Sequence, residues 1–250
     1  MTSNFGSDQW YAVGGSAALA PGSIMPATLR DSEMVVWRDS KGVVHAWRNR
    51  CIHRGLRLTL GFVDGDHLAC RYHGWRYGAG GQCKVIPAHP GMTPPDDFRV
   101  PAYGVCEHGG LIWASTGVPP NSVDAGLNGG NLRFCRDLVV RQNPERVAAR
   151  ARRAIFKPFG GGAGDAVFEH TEIAPSVIRI NARFDAGSAS VVLAIHPISR
   201  DRAGLHVLAA GETPAERRHY AEWARRLRWF MENPEAVTSS WNPLPDRKSG

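Results

Sequence analysis

At 250 residues the chain has room for one large domain or two small ones with real cores, and 43% hydrophobic with 21% charged residues is ordinary for a soluble globular protein. The longest apolar runs, such as residues 191–195, are far too short to span a bilayer, so no membrane partner is expected. The formal net charge of +7 comes mostly from arginine and suits either docking to an acidic electron donor or a plainly solvated surface; Arg146, Arg150, Arg152, Arg153 and Lys157 lie close together without aromatic interleaving or a reading motif, so no nucleic acid is expected.

The opening Met1-Thr2-Ser3-Asn4-Phe5-Gly6-Ser7 lacks the basic start and apolar core of an export signal, and a cytoplasmic location is the default expectation. Residues 10–29 read as short strands broken by Pro21-Gly22 and Pro26. Residues 34–37 and 43–47 flank Asp39-Ser40-Lys41-Gly42, a hairpin with turn chemistry in the right place. A second hairpin, 62–63 with 67–70, turns at Asp64-Gly65-Asp66, and a third, 75–77 with 83–86, turns at residues 78–81. Loop follows over residues 87–95, and strands at 98–100 and 111–114 complete an all-β domain over residues 1–118.

The first two hairpins deliver the chemistry. Cys51-Ile52-His53-Arg54-Gly55 follows the first, Cys70-Arg71-Tyr72-His73-Gly74-Trp75 ends the second, and sixteen residues separate His53 from Cys70, enough to make a hairpin and return beside the first loop. Each loop offers one sulfur and one nitrogen. Two thiolates on one iron and two imidazoles on the other are what a Rieske [2Fe-2S] centre requires, while two Cys and two His also suit zinc. Zinc sites more often pair Cys with Cys and His with His, and here Tyr72, Trp75 and Tyr77 surround the second loop. Gly55 and Gly74 let the backbone come close to the donors. The remaining thiols of Cys83, Cys106 and Cys135 read as small apolar residues in a reducing compartment.

Residues 119–132, rich in Pro, Gly and Asn, form the expected linker, and residues 133–250 a small α+β domain. Its expected elements are a strand at 138–140, a short basic helix over 144–155, strands at 176–184, 190–196 and 205–208, and a long helix over 214–233. Thr213 caps that helix, Pro214 opens it and Glu216 lies three residues past the cap, while Tyr220, Trp223, Ala224, Leu227, Phe230 and Met231 recur on one face. The glycines of residues 160–164 lack the Lys-Ser/Thr ending of a phosphate-binding loop.

Cys51-x-His53-Arg54-Gly55, Cys70-x-Tyr72-His73-Gly74-Trp75-x-Tyr77 and Gly81-x-Cys83-x-x-Ile86-Pro87 together resemble the Rieske domain of Rieske non-haem-iron oxygenases, closest to the vanillate O-demethylase branch. The resemblance covers roughly residues 10–117. It implies that Cys51 and Cys70 bind one iron and His53 and His73 the other, with neutral imidazoles whose outer nitrogens titrate with oxidation state. It implies a reductase or ferredoxin as electron donor. It also implies a second domain of helix-grip type, here truncated, built as an antiparallel sheet with a long C-terminal helix. The respiratory Rieske type is set aside because Leu56 and Tyr72 stand where its extra cysteines would be.

The resemblance stops at the second metal. The family holds a mononuclear Fe(II) by two histidines and a carboxylate in an Asp-x-x-His-x4-His-like pattern, and no two of the ten histidines here have that spacing. Candidates for a rearranged site are Glu169, His170, His196 and His206, with Asp165, Glu172 and His219 behind them. Three functions follow as expectations. The first is a Rieske redox protein that passes single electrons. The second is a complete oxygenase, an oxidative demethylase or hydroxylase of a small molecule such as an aromatic one with O₂, and the third a non-enzymatic accessory subunit of a catalytic oxygenase chain. Trimers are common in the family, so a homo-oligomer is part of the expectation.

Overall fold

Turn chemistry sets the first half of the chain. In the computed structural model, which describes residues 5–119, 122–123, 126–127, 132–161, 166–185, 187–211 and 213–233, the strands are β1 (Tyr11–Gly15), β2 (Ile24–Leu29), β3 (Ser32–Arg38), β4 (Val44–Arg48), β5 (Phe62–Asp64), β6 (His67–Ala69), β7 (Arg76–Tyr77), β8 (Cys83–Val85), β9 (Gly104–His108) and β10 (Leu111–Ser115). They form three small antiparallel sheets, β1-β10-β9, β2-β3-β4 and β5-β6-β7-β8. The β3–β4 turn is closed by Asp39, whose Oδ1 accepts from the N–H groups of Lys41 and Val43, both at 2.9 Å. Its other oxygen lies 3.2 Å from His45 Nε2 on the buried side.

The core behind these sheets gathers Val35, Trp37, Trp47, Leu58, Leu68, Tyr77 and Val100, with Cys51, Cys70 and Cys83 in the same cluster. Trp37 and Trp47 meet edge to face at 4.9 Å, the geometry their ring quadrupoles favour. No strand forms at residues 98–100; Arg99 makes only an isolated bridge to Gln82.

The second half is built on one antiparallel sheet in the order β11-β15-β14-β13-β12, from β11 (Leu132–Val140), β12 (Val167–Ala174), β13 (Val177–Phe184), β14 (Gly187–Ser199) and β15 (Arg202–Ala210). Two helices accompany it. α1 (Pro144–Ala151) stops short of the expected residue 155, and Asn143 caps it by accepting from the N–H groups of Glu145 and Arg146. α2 (Pro214–Glu232) has the anticipated capping box between Thr213 and Glu216 and buries Tyr220, Trp223, Ala224, Leu227, Phe230 and Met231. Phe156 ties helix to sheet, lying edge-on to Phe168 of β12 and to Tyr220 and Trp223 of α2.

Residues 7–107 and 111–122 make one compact unit; residues 1–6, 108–110 and 123–250 make the other. Of the expected linker, residues 120–121, 124–125 and 128–131 lie outside the described residues. Among the described residues no helix is long and apolar enough to cross a membrane.

Candidate metal centre

The centre is built by the β5–β6 hairpin, which carries the chain from one ligand loop to the other. β4 runs out at Arg48 into the first loop; β6 ends at Ala69 and delivers the second. The two loops are the same turn made twice. The Cys51 N–H donates to Leu56 O at 2.8 Å and the Gly55 N–H to Cys51 O at 2.9 Å; in the second loop Cys70 N–H donates to Trp75 O and Gly74 N–H to Cys70 O, both at 2.9 Å. Each turn needs a left-handed residue in its last position, which Gly55 and Gly74 supply at φ of 72° and 70°.

This repetition puts like atoms beside like. Cys51 and Cys70 are buried, at 4% and 2% exposure, and their side chains contact each other. His53 is half-buried and His73 exposed, and their Nδ1 atoms lie 3.0 Å apart. Two sulfurs inside and two nitrogens outside is a donor set divided by element, which fits a cluster with one thiolate-bound and one imidazole-bound iron.

The surroundings suit those ligand states. Burial pushes the Cys70 thiol up, while N–H groups of Tyr72 and His73 aimed at its sulfur, and not Cys51 beside it, act in the opposite direction and favour thiolate. The Tyr77 hydroxyl, in a fully buried ring, lies 3.0 Å from Cys51 Sγ; burial first, then Cys51, raises its pKa far above the ordinary value, and the hydroxyl is the donor of this contact once Cys51 is a thiolate. Partial desolvation first, then the neighbouring His73 and Arg54, lowers the pKa of His53, the direction that favours the neutral ring a ligand must offer. Rings hold both imidazoles: Trp75 stacks on His53 at 4.7 Å and 5°, Phe98 on Trp75 at 5.8 Å, and Tyr72 on His73 at 3.9 Å.

Two clips on the first loop are absent from the sequence reading. Asn49, buried, accepts from Thr59 N–H at 2.9 Å and donates to Thr59 Oγ1 at 3.1 Å, closing the neck of the loop. Outside it, Glu33 of β3 takes Arg50 on one side and Arg57 on the other. The usable signal was strand register, since Met34 pairs with Arg48 and so puts Glu33 beside Asn49. Cys83 is buried near the ligand thiols; burial raises its pKa and its weak contact runs to Val85 O at 3.7 Å. No two of the five cysteines form a disulfide, and Cys106 and Cys135 are half-buried.

The candidates in the second unit fall into separate places. Glu169 pairs with Arg183, His170 Nε2 donates to Ala154 O at 2.7 Å, and Glu172 pairs with Arg152. His219 Nε2 donates to Lys157 O, and Asp165 lies outside the described residues. Among the described candidates only His196 and His206 come together, stacked on adjacent strands with His206 Nε2 3.0 Å from His196 Nδ1. Among the described residues no three His, Cys, Asp or Glu side chains converge as around a single ion.

The Rieske [2Fe-2S] domain family matches residues 9–104. Oxidoreductase NdmD of Pseudomonas putida is 46% identical over 114 residues, covering 45% of this chain and 19% of NdmD. The 5,5'-dehydrodivanillate O-demethylase oxygenase subunit of a Sphingobium species is 33% identical over 115 residues, 44% of this chain and 27% of its own length. The matched part therefore spans about a fifth to a quarter of these relatives. The crystal structure of apo dicamba monooxygenase superposes with a TM-score of 0.75 at 19% identity, covering 92% of this chain and 87% of that one, so the likeness of fold continues past the matched domain.

Proposed function

Residues 9–104 are a Rieske [2Fe-2S] domain of the kind carried by Rieske oxygenases, and from that premise we propose that the chain is a one-electron redox protein whose cluster is held by Cys51 and Cys70 on one iron and His53 and His73 on the other. The observation that carries this reading is the separation of donors, sulfurs buried and Nδ1 atoms adjacent at the surface. When bound, the cluster supplies reversible storage of one electron. The chain's own residues do the rest. Tyr77 and the amides of Tyr72 and His73 stabilise charge on the sulfurs, and Trp75 and Tyr72 fix the imidazole planes. The electron donor in this reading is a reductase or ferredoxin.

In the same proposal residues 1–118 are the cluster domain, 119–132 the linker and 133–250 a reduced α+β domain of truncated helix-grip type, related to the oxygenase catalytic domain. A second reading is favoured by one observation, the likeness to dicamba monooxygenase over 92% of the chain. It makes the protein a complete oxygenase with a mononuclear Fe(II) drawn from Glu169, His170, His196 and His206, in a homo-oligomer such as a trimer. Iron and acid-labile sulfide per chain, with EPR of the reduced protein, separate the two. About two irons per two sulfides, unchanged by added ferrous iron, supports the redox protein, and about three irons supports the oxygenase. Protein with iron but no labile sulfide would overturn both.

A further inference from the structure

We propose that Trp47 and Trp37, joined to the metal centre through Tyr77, form an internal electron relay with which the protein reduces peroxide using electrons from a thiol. The proposal rests on the cluster assignment above and adds a protective activity to it.

The relay is built by strand register. β3 and β4 pair Trp37 with His45 and Val35 with Trp47, so both indoles and the imidazole stand on one face of the hairpin. From the sulfur side the run is continuous. The Tyr77 hydroxyl lies 3.0 Å from Cys51 Sγ, and the Tyr77 ring meets Trp47 edge-on at 6.4 Å. Trp47 meets Trp37 at 4.9 Å, the Trp37 and His45 rings are 4.4 Å apart, and His45 Nε2 lies 3.2 Å from Asp39 Oδ2. Tyr77, Trp47 and Trp37 are at most 1% exposed, while His45 is 8% exposed and the turn after Asp39 is open at Ser40. Packing alone explains a buried aromatic cluster, but not a run that starts at a ligand sulfur and ends on a carboxylate beside a surface turn.

Electrons can move along this run without protons. Trp47 Nε1–H donates to the carbonyl of Ala79, and Trp37 Nε1–H has no hydrogen-bond partner among the described residues, so neither N–H is bonded to a base. An indole that gives up an electron here stays a radical cation and recovers by taking one electron back. Burial works against the Asp39 carboxylate, but His45 and the amides of Val43 and Lys41 outweigh it and favour the ionised form. That negative charge favours the positive charge on Trp37, which draws it away from the metal centre. The electrons balance. One peroxide takes two electrons and two protons to give two waters, Trp47 and Trp37 supply one electron each, and two thiols return both electrons by forming one disulfide and releasing two protons.

The test treats cluster-loaded wild type, Trp47→Phe and Trp37→Phe with hydrogen peroxide, with and without glutathione, after matching them for EPR spectrum and for iron release to a chelator. Bleaching of the visible absorption is followed, and oxygen added to tryptophan is mapped by peptide mass spectrometry. Trp113, 2% exposed on β10 of a different sheet, is the reference for a buried indole outside the relay. Without glutathione, wild type should add oxygen at Trp37 and not at Trp113; glutathione should remove the mark and slow bleaching several-fold. Trp47→Phe should leave Trp37 unmarked and lose the protection by glutathione, and Trp37→Phe should move the mark to Trp47. Equal marking of Trp37 and Trp113, or a Trp37 mark and glutathione protection that survive in Trp47→Phe, would overturn the relay and leave the cluster assignment standing. Should Trp47→Phe leak iron, Trp37→Phe decides, and an unmarked Trp47 in it overturns the relay equally. Wild type without a Rieske EPR spectrum would remove the cluster assignment and the relay together.

Discussion

The Tyr77 hydroxyl sits 3.0 Å from the Cys51 sulfur, inside a core where the tyrosine ring has no exposure at all. A donor to sulfur favours the more electron-rich reduced state, so its loss lowers the potential. With a difference of about 1 kcal/mol between the two oxidation states, Tyr77→Phe should lower the midpoint by about 40 mV. Protein-film voltammetry reads this directly, and an unchanged midpoint would show that the hydroxyl does not act on the cluster.

Ligand and neighbour should part company on substitution. Cys51→Ser or His73→Ala is expected to abolish the visible absorption and the EPR signal. Cys83→Ser should keep both, at a cost of about 1–3 kcal/mol for a hydroxyl in a buried apolar site. Equal loss of signal in the Cys83 variant would mean that the ligand set is wrong.

The clips on the first loop predict a ranking. Asn49→Ala removes a buried reciprocal pair and should cost about 1–3 kcal/mol, with faster loss of iron to a chelator. Glu33→Gln breaks solvent-exposed, salt-screened ion pairs and should cost less than the Asn49 variant. Urea melts of the loaded protein check the order, and a Glu33 variant weaker than the Asn49 variant would reverse it.

In the sheet of the second unit, His196 lies across Gly204 on the neighbouring strand, and a Cβ there would fall 1.8 Å from its Cε1. Gly204→Ala should therefore destabilise by about 1–3 kcal/mol. Much of that should vanish in the background of His196→Ala, a coupling that a double-mutant cycle measures. Simple additivity would place the strain elsewhere.

Acid should weaken the first unit through Glu107. Its hydrogen bond and ion pair with Arg38 hold its pKa below the ordinary 4.5, against the opposing effect of burial. The stabilisation is complete above that value and lost as pH falls through the lower folded value. Melts between about pH 3 and pH 6 should show a shallower decline for Glu107→Gln than for wild type.

What the sequence made legible was local. Asp39-Ser40-Lys41-Gly42 and Asp64-Gly65-Asp66 announced their hairpins because a side-chain acceptor and a glycine suffice to turn the chain. The Thr213 to Glu216 box did the same for α2. β9 was missed because Gly104-Val-Cys-Glu-His108 has no alternation to read, and its pairing comes from β10. β12 was obscured similarly: an edge strand with Glu169, His170, Thr171 and Glu172 in succession buries neither face. α1 ended early because Arg152 closes it as a cap, leaving residues 153–155 outside. The contacts of Tyr77 with Cys51 and of Glu33 with two arginines join residues 17–26 positions apart and depend on strands already being paired.

The buried thiols and outward imidazoles give the centre a front and a back. In the redox-protein reading proposed above, a protein that delivers an electron and one that collects it both gain most by approaching the histidine side. If they do, the two cannot sit there at once, and throughput would be set by how fast one leaves so that the other can arrive. Tight binding of either would then slow the traffic, and an excess of donor would inhibit transfer to the acceptor.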